Sequence, residues 1–253
     1  MTAFVQAEFD QHLVEMLDSV ALPARAAAKN AVRHIDRAHA IAVLDPDMAA
    51  FRAITAEEEA ATALFHSLKR HNYPGSEALN RDHLQKNAVA PFCSAVARLF
   101  ADIDQRLNLR HQLKINTDTG TRFLENRFHV GGIGLGDYWA TPQPPLNLAI
   151  RTQDGLHDFA REIQTLADER QVATILEHLR KRKNMRNEIL YASAAGLPNV
   201  ALGNFLDKQR QIVKVGVVLL LMVDPYDEHQ LLVAQALRAF LQMLKRLPEE
   251  LAF

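Results

Sequence analysis

The stretch DMAAFRAITAEEEAATALFHSLKR, residues 47–70, decides how the rest of the chain is read. Phe51, Ile54, Ala61, Leu64, Phe65 and Leu68 recur at three- and four-residue spacing, which predicts a long helix with one apolar stripe. Asp45-Pro46-Asp47 offers a cap at its start, and Tyr73-Pro74-Gly75-Ser76 stops it. A run such as Glu57-Glu58-Glu59 ordinarily marks a solvated face. Glu58, however, lies four residues after Ile54, three before Ala61 and seven before Phe65. That spacing puts its carboxylate on the apolar stripe, where it needs a cation or hydrogen-bond donors.

A partner is legible in the second half, between Leu179 and Tyr191. Arg186 falls seven residues after Leu179 and four before Leu190, so it too points to an apolar side. Asn187 and Tyr191 share a neighbouring face at four-residue spacing. The plain reading of Glu58 and Arg186 is a buried ion pair that holds two helices in register.

Working outward, most of the chain reads as helix. Helices are predicted over 8–22, from Pro23 to Leu44, over 77–109 with a kink or division at Pro91, over 156–194 with a break near Asp168, and over 204–223 and 228–245. The character changes over 114–155, where glycines and prolines cluster. Residues 122–124, 128–130 and 146–150 there are candidate short strands. The predicted fold is an all-α helical bundle forming one domain over 1–253, interrupted by a Gly/Pro-rich insert near 114–155 with β-hairpin character. The last two helices carry more apolar surface than one bundle face needs, which predicts a homodimer.

Composition narrows the function classes. The formal net charge of -1 over 253 residues does not support a strongly basic nucleic-acid binder. The single cysteine, Cys93, excludes an internal disulfide framework and a cysteine-based zinc cluster. Residues 1–6 have no basic region and are followed by Glu8 and Asp10, unlike a signal peptide. The apolar run Val213–Val223 is shorter than a bilayer requires. The expectation is therefore a cytoplasmic protein without membrane attachment.

The motifs narrow them further. No Glu-x-x-His occurs, and Asp154-x-x-His157 is the nearest metal-like spacing, so neither metal nor cofactor is predicted. The glycines between Gly131 and Gly136 lack the Gly-Lys-Ser/Thr of a phosphate loop. Tyr138 and Trp139 beside them could stack on a base or plug a partner's groove.

An inward carboxylate on one long helix and an inward Arg-Asn on another is similar to the pattern of the HEPN superfamily of helical bundles. The abortive-infection (AbiV-like) members are the nearest in kind. The resemblance covers residues 27–73 and Arg186-Asn187-Glu188-Ile189-Leu190-Tyr191. It implies a homodimeric defence or toxin-type protein acting on RNA, as a metal-independent endoribonuclease or a catalytically degraded RNA-binding relative. In such ribonucleases an Arg is followed four to six residues later by His. Arg186-Asn187 matches the first half, and Tyr191 stands where the His would be. The resemblance implies that Arg186 stabilises the phosphate, Asn187 orients it, Glu58 positions Arg186, and Tyr191 donates a hydrogen bond or acts as a weak acid. Literal Arg-to-His spacings also occur from Arg106 to His111 and from Arg151 to His157, the second across a turn signal. The competing expectation is a non-enzymatic helical binding or regulatory module that grips a protein or small-molecule partner. The 114–155 insert would supply the grip on a protein.

Overall fold

The computed structural model describes residues 2–80, 82–117, 122–130, 138–153, 155–190 and 202–248. The side chains of 107, 130, 150–152, 183, 186–188 and 190 lie outside that description. Eight α-helices run through the described residues: α1 (Glu8–Met16), α2 (Ala24–Ile41), α3 (Pro46–Arg70), α4 (His83–Leu107), α5 (Ala160–Gln164), α6 (Glu169–Leu190), α7 (Phe205–Val223) and α8 (Leu231–Leu244). The strands are β1 (Leu109–Asn116), β2 (Phe123–Val130), β3 (Trp139–Ala140), β4 (Ile150–Thr152) and β5 (Gly155–His157). They form an antiparallel sheet in the order β1-β2-β3 and a separate β4-β5 hairpin. The fold is thus mostly helical. Among the described residues, no helix is long and apolar enough to cross a membrane.

The decisive stretch becomes α3, the hub of the molecule. The Asp45 carboxylate accepts from the Met48 N–H at 3.0 Å and caps it. Around α3 pack α2, α4, α6 and α7. The crossing with α7 is close: a Cβ on Gly216 would come within 2.9 Å of the Ala60 Cβ. A helix with neighbours on several sides buries more than one stripe. So Ala49, Ala50, Ala53, Ala56, Ala60 and Ala63 disappear into the core alongside Ile54 and Phe65. The second half of α7, from Val215 on, is apolar all round for the same reason, and Val217, Leu220, Leu221 and Met222 are buried within the one chain.

Several boundaries differ from the sequence expectation. α1 ends at Met16, where the Ser19 hydroxyl donates to the Met16 carbonyl (2.7 Å) and a 3-10 turn follows. α4 starts at His83 rather than near 77, because Asp82 caps it by accepting from the Leu84 N–H at 3.0 Å. It then continues through Pro91 without division, so packing outweighs the lost hydrogen bond there. Asn108, left-handed at φ 50°, ends α4 and delivers the chain directly into β1, five residues before the predicted insert.

Residues 123–124 and 128–130 do not pair with each other. They belong to one strand, β2, whose partner is β1. Residues 146–149 are not strand; the Leu146 N–H and carbonyl instead bond the Gln230 side chain and the Leu232 N–H at the start of α8. The predicted helix over 156–194 opens as strand β5 and breaks at Asp168. Residues 131–137, 191–201 and 154 lie outside the described residues, and with them the glycine run, Tyr191 and the stop at 196–198.

Candidate functional site

Glu58 is buried, as its place on the stripe requires. His83 Nδ1 donates to its Oε2 at 2.8 Å, and Asn87 Nδ2 donates to its Oε1 at 3.0 Å. The Lys86 ammonium stands 3.6 Å from the same carboxylate. All three partners come from the first turns of α4, at i, i+3 and i+4, the spacing that lines up side chains on one helix face. Asn87 Nδ2 also donates to the His83 carbonyl at 2.9 Å, so the helix start and the side-chain cluster are tied together.

Glu57, one residue earlier, is buried on the other side of α3. Arg182 Nη2 of α6 donates to its Oε2 at 2.9 Å, and the same guanidinium lies over the Phe205 ring, 5.2 Å from its centroid. Burial raises the Glu57 carboxyl above its ordinary value; Arg182 and the buried Gln209 amide oppose that rise, and neighbouring Glu58 adds to it. His178, one turn before Arg182, has its Nε2 4.0 Å from Glu57 Oε1. Burial first, then the charges of Arg182 and Lys181, pull its imidazole down to about 4. The ring is therefore neutral across physiological pH. Glu57 Oε1, His178 Nε2 and Arg182 Nε have no hydrogen-bond partner among the described residues. The two adjacent carboxylates thus face different helices: Glu58 takes its donors from α4, and Glu57 is held by Arg182 of α6 with Gln209 and His178 beside it.

α6 runs antiparallel to α3, with Arg182 opposite Glu57 and with Met185 and Ile189 against Ala50 and Ile54. Arg186 and Asn187 occupy its last turns, one turn beyond Arg182. Their side chains, like all of Tyr191, lie outside the described residues, and so does the predicted Glu58–Arg186 contact. The described arginine on a buried α3 carboxylate is Arg182, and the carboxylate is Glu57. Arg106 and His111 do not share a helix: Arg106 is on the last turn of α4, while His111 is on β1 with its Nε2 2.8 Å from Asp104. The Arg151 side chain lies outside the described residues. Tyr138 is exposed, and Trp139 stacks under the Arg127 guanidinium at 5.2 Å.

Sequence reasoning missed Glu57, His83, Lys86, His178 and Arg182. Arg182 sits in the run Arg180-Lys181-Arg182-Lys183, which reads as a solvated face. Its seven-residue spacing from Ile175 and Ile189, both buried, was the available signal.

A cleft of about 610 Å³ opens beside Glu58, between α2, α3 and the start of α4. Lys29 and Arg33 of α2, Glu59, Thr62 and His66 of α3, and Lys86 of α4 line it. Lys86 thus connects the buried carboxylate to this cleft, whose walls also include Pro23, Ala26 and Ala27 and in which Lys29 is itself paired with Asp18. A scan against protein-family models, a search of curated proteins and a search of solved structures each return no match to this chain.

Proposed function

We propose that this is a HEPN-like, defence or toxin-type protein that holds single-stranded RNA in the polar cleft and cleaves it without a metal. The observation that carries the reading is the position of Lys86. Its ammonium lies at the polar cleft and 3.6 Å from Glu58, which also accepts from His83, and this nearness of a cation to an imidazole–carboxylate pair supports the reading. Imidazole is the side chain suited to proton transfer near neutrality, whereas the phenol of Tyr191 is not. His83 therefore supplies what the Arg186–Tyr191 spacing lacks. Glu58 accepts from Nδ1, which favours the tautomer whose basic nitrogen is Nε2.

In the reaction, His83 Nε2 takes the proton of a ribose 2′-hydroxyl as its oxygen attacks the adjacent phosphorus. The bond to the 5′-oxygen breaks, that oxygen takes a proton from water, and a 2′,3′-cyclic phosphate remains. Lys86 and Arg33 offset the charge gathering on the phosphoryl oxygens. Arg186 and Asn187 retain the phosphate-binding roles that the resemblance implies, in a site completed by a second protomer.

The test is anisotropy of a labelled single-stranded RNA at low salt, with gel analysis of its cleavage in a chelator. Wild type binds and cleaves; Arg33→Ala weakens binding and flattens its salt dependence. His83→Ala stops cleavage but spares binding. Protein that ignores RNA at low salt overturns the proposal and leaves the non-enzymatic module.

A further inference from the structure

The three-stranded sheet that follows α4 has two unlike faces, and strand alternation together with the register sorts its residues between them. Leu124 and Asn126 are buried and Ile115 packs against the core, so that face lies on the body of the protein. The opposite face carries Arg110, Gln112 and Lys114 of β1, Arg127 and His129 of β2, and Trp139 of β3. The three β1 residues are exposed, and Arg127 and Trp139 are half-buried. Arg127 stands opposite Gln112, midway between Arg110 and Lys114. Three cations thus succeed one another in steps of about 7 Å along the strand direction, on neighbouring strands.

Charge is segregated on this face. Among the described residues, Arg110, Lys114 and Arg127 form no ion pair. The carboxylate that shares the face, Glu125, already accepts from Asn116 Nδ2 at 2.6 Å. This cationic excess stands in a chain whose formal net charge is -1. Cations on an edge strand such as β1 ordinarily deter pairing with a second sheet. That accounts for Arg110 and Lys114 but not for Arg127, which lies on the central strand of the order β1-β2-β3. The Arg127 guanidinium lies over the Trp139 ring, 5.2 Å from its centroid, and the His129 ring supports the indole from 5.1 Å. An arginine steadied on an aromatic ring offers a planar surface on which a base can stack, and the flanking cations can meet the adjoining phosphates.

We propose that this sheet face is a second contact for single-stranded RNA, with Arg110 and Lys114 on phosphates and a base stacked on the Arg127 guanidinium. The proposal rests on the RNA reading above for its ligand and adds a site remote from the cleft. Lys86 lies in the first turn of α4 and β1 leaves its last, so about 30 Å of helix separates them.

Trp139 is the chain's single tryptophan, so its fluorescence reports this face alone. The experiment titrates the full chain with a short labelled 2′-O-methyl oligouridylate, which cannot be cleaved through its 2′-oxygen. Anisotropy of the strand follows binding anywhere on the protein. Trp139 should be quenched saturably, and the affinity should fall by about 1.4 log units per log unit of salt, the slope for two phosphates. Arg110→Gln with Lys114→Gln, both at exposed positions, should raise the quenching midpoint tenfold or more and nearly flatten that slope. Arg127→Lys keeps the charge but not the plane, so it should raise the midpoint at least fivefold and leave the slope as it was. Absence of quenching, or an unaltered midpoint in either variant, overturns the proposal. So does equal quenching by poly-glutamate, which gives the face to an acidic protein. Anisotropy that rises without quenching removes the sheet site and leaves the cleft reading standing. Quenching without cleavage of unmodified RNA does the reverse: it keeps the sheet site and removes the nuclease.

Discussion

The C-terminal end and the middle of α3 carry buried polar clusters of opposite character. At its C-terminal end, Asp224 accepts from the Ala21 N–H (3.1 Å) and the Arg70 guanidinium (3.3 Å), while its carbonyl meets His71 Nε2 at 2.9 Å. Nearby, Gln230 accepts from the Leu146 N–H (2.7 Å) and donates to the Met222 carbonyl (2.7 Å), and its own N–H donates to the Tyr73 hydroxyl (2.9 Å). Each of these side chains is partnered. In mid-helix, Glu57, His178 and Arg182 each keep a buried polar atom without a partner among the described residues. The saturated cluster is a fastening between α3, α7, the α8 start and the 144–147 loop. The second is a more loosely matched polar cluster between α3, α6 and α7, in which Arg182 holds Glu57 and His178 and Gln209 lie close by.

That contrast can be broken by substitution. The largest effect belongs to the fastening: Asp224→Ala should cost about 3 kcal/mol in urea unfolding, because a buried carboxylate is lost, the half-buried Ala21 N–H loses its acceptor and Arg70 loses one of its bonds. A cost below 1 kcal/mol would mean that the fastening does not fasten. His178 tests the other cluster through pH. Its folded value of about 4 lies below the 6.5 of an unfolded imidazole. Below pH 6.5 the unfolded chain therefore gains a proton that the folded chain refuses. Stability falls as pH drops from 6.5 to about 4 and levels beneath that. With the ring 31 % exposed, the loss should be about 2 kcal/mol, and His178→Gln should remove it.

Glu57→Gln keeps an oxygen for the Arg182 hydrogen bond but removes the charge opposite that buried guanidinium, so it should cost about 2 kcal/mol at neutral pH. Its raised carboxyl works in the opposite sense to a usual salt-bridged acid. The folded state holds the proton more tightly than the unfolded one, so stability declines as pH climbs from the unfolded value through the folded one. Glu57→Gln should flatten that decline, and an unaltered pH profile would place the carboxylate in water. The smallest effect is at the surface: Lys181→Ala, which removes the exposed 2.7 Å pair with Glu177, should cost less than about 0.5 kcal/mol.

Much of this was legible before the fold was known. The stripe through Phe51, Ile54 and Phe65 marked α3, and the spacing of Glu58 marked it as buried. Glu57 escaped because a stripe presumes one buried face, while α3 has neighbours on several sides and buries carboxylates at successive 100° positions. Arg182 escaped because its neighbours Lys181 and Lys183 disguise it as part of a charged run. His83 could not be found from Glu58 at all: twenty-five residues and a turn separate them, and only the docking of α4 on α3 closes the distance. In the insert, the residues that form β2 were noticed, but their pairing was not, since strand register depends on a partner that began five residues upstream of the expected boundary.

Local rules thus determined where helices form. Period-3.6 patterning, the Asp45 cap, Pro23 at a helix start and the breaks at 73–76, Asp168 and 224–227 are effects of neighbouring residues, and they can be read in one dimension. The tertiary structure alone decided which carboxylate meets which cation, which of two adjacent glutamates faces α4 and which faces α6, and that small residues on α3, α4 and α7 face one another across an unfilled cleft. Those are properties of surfaces brought together from distant parts of the chain, and their energies depend on burial that no single helix possesses.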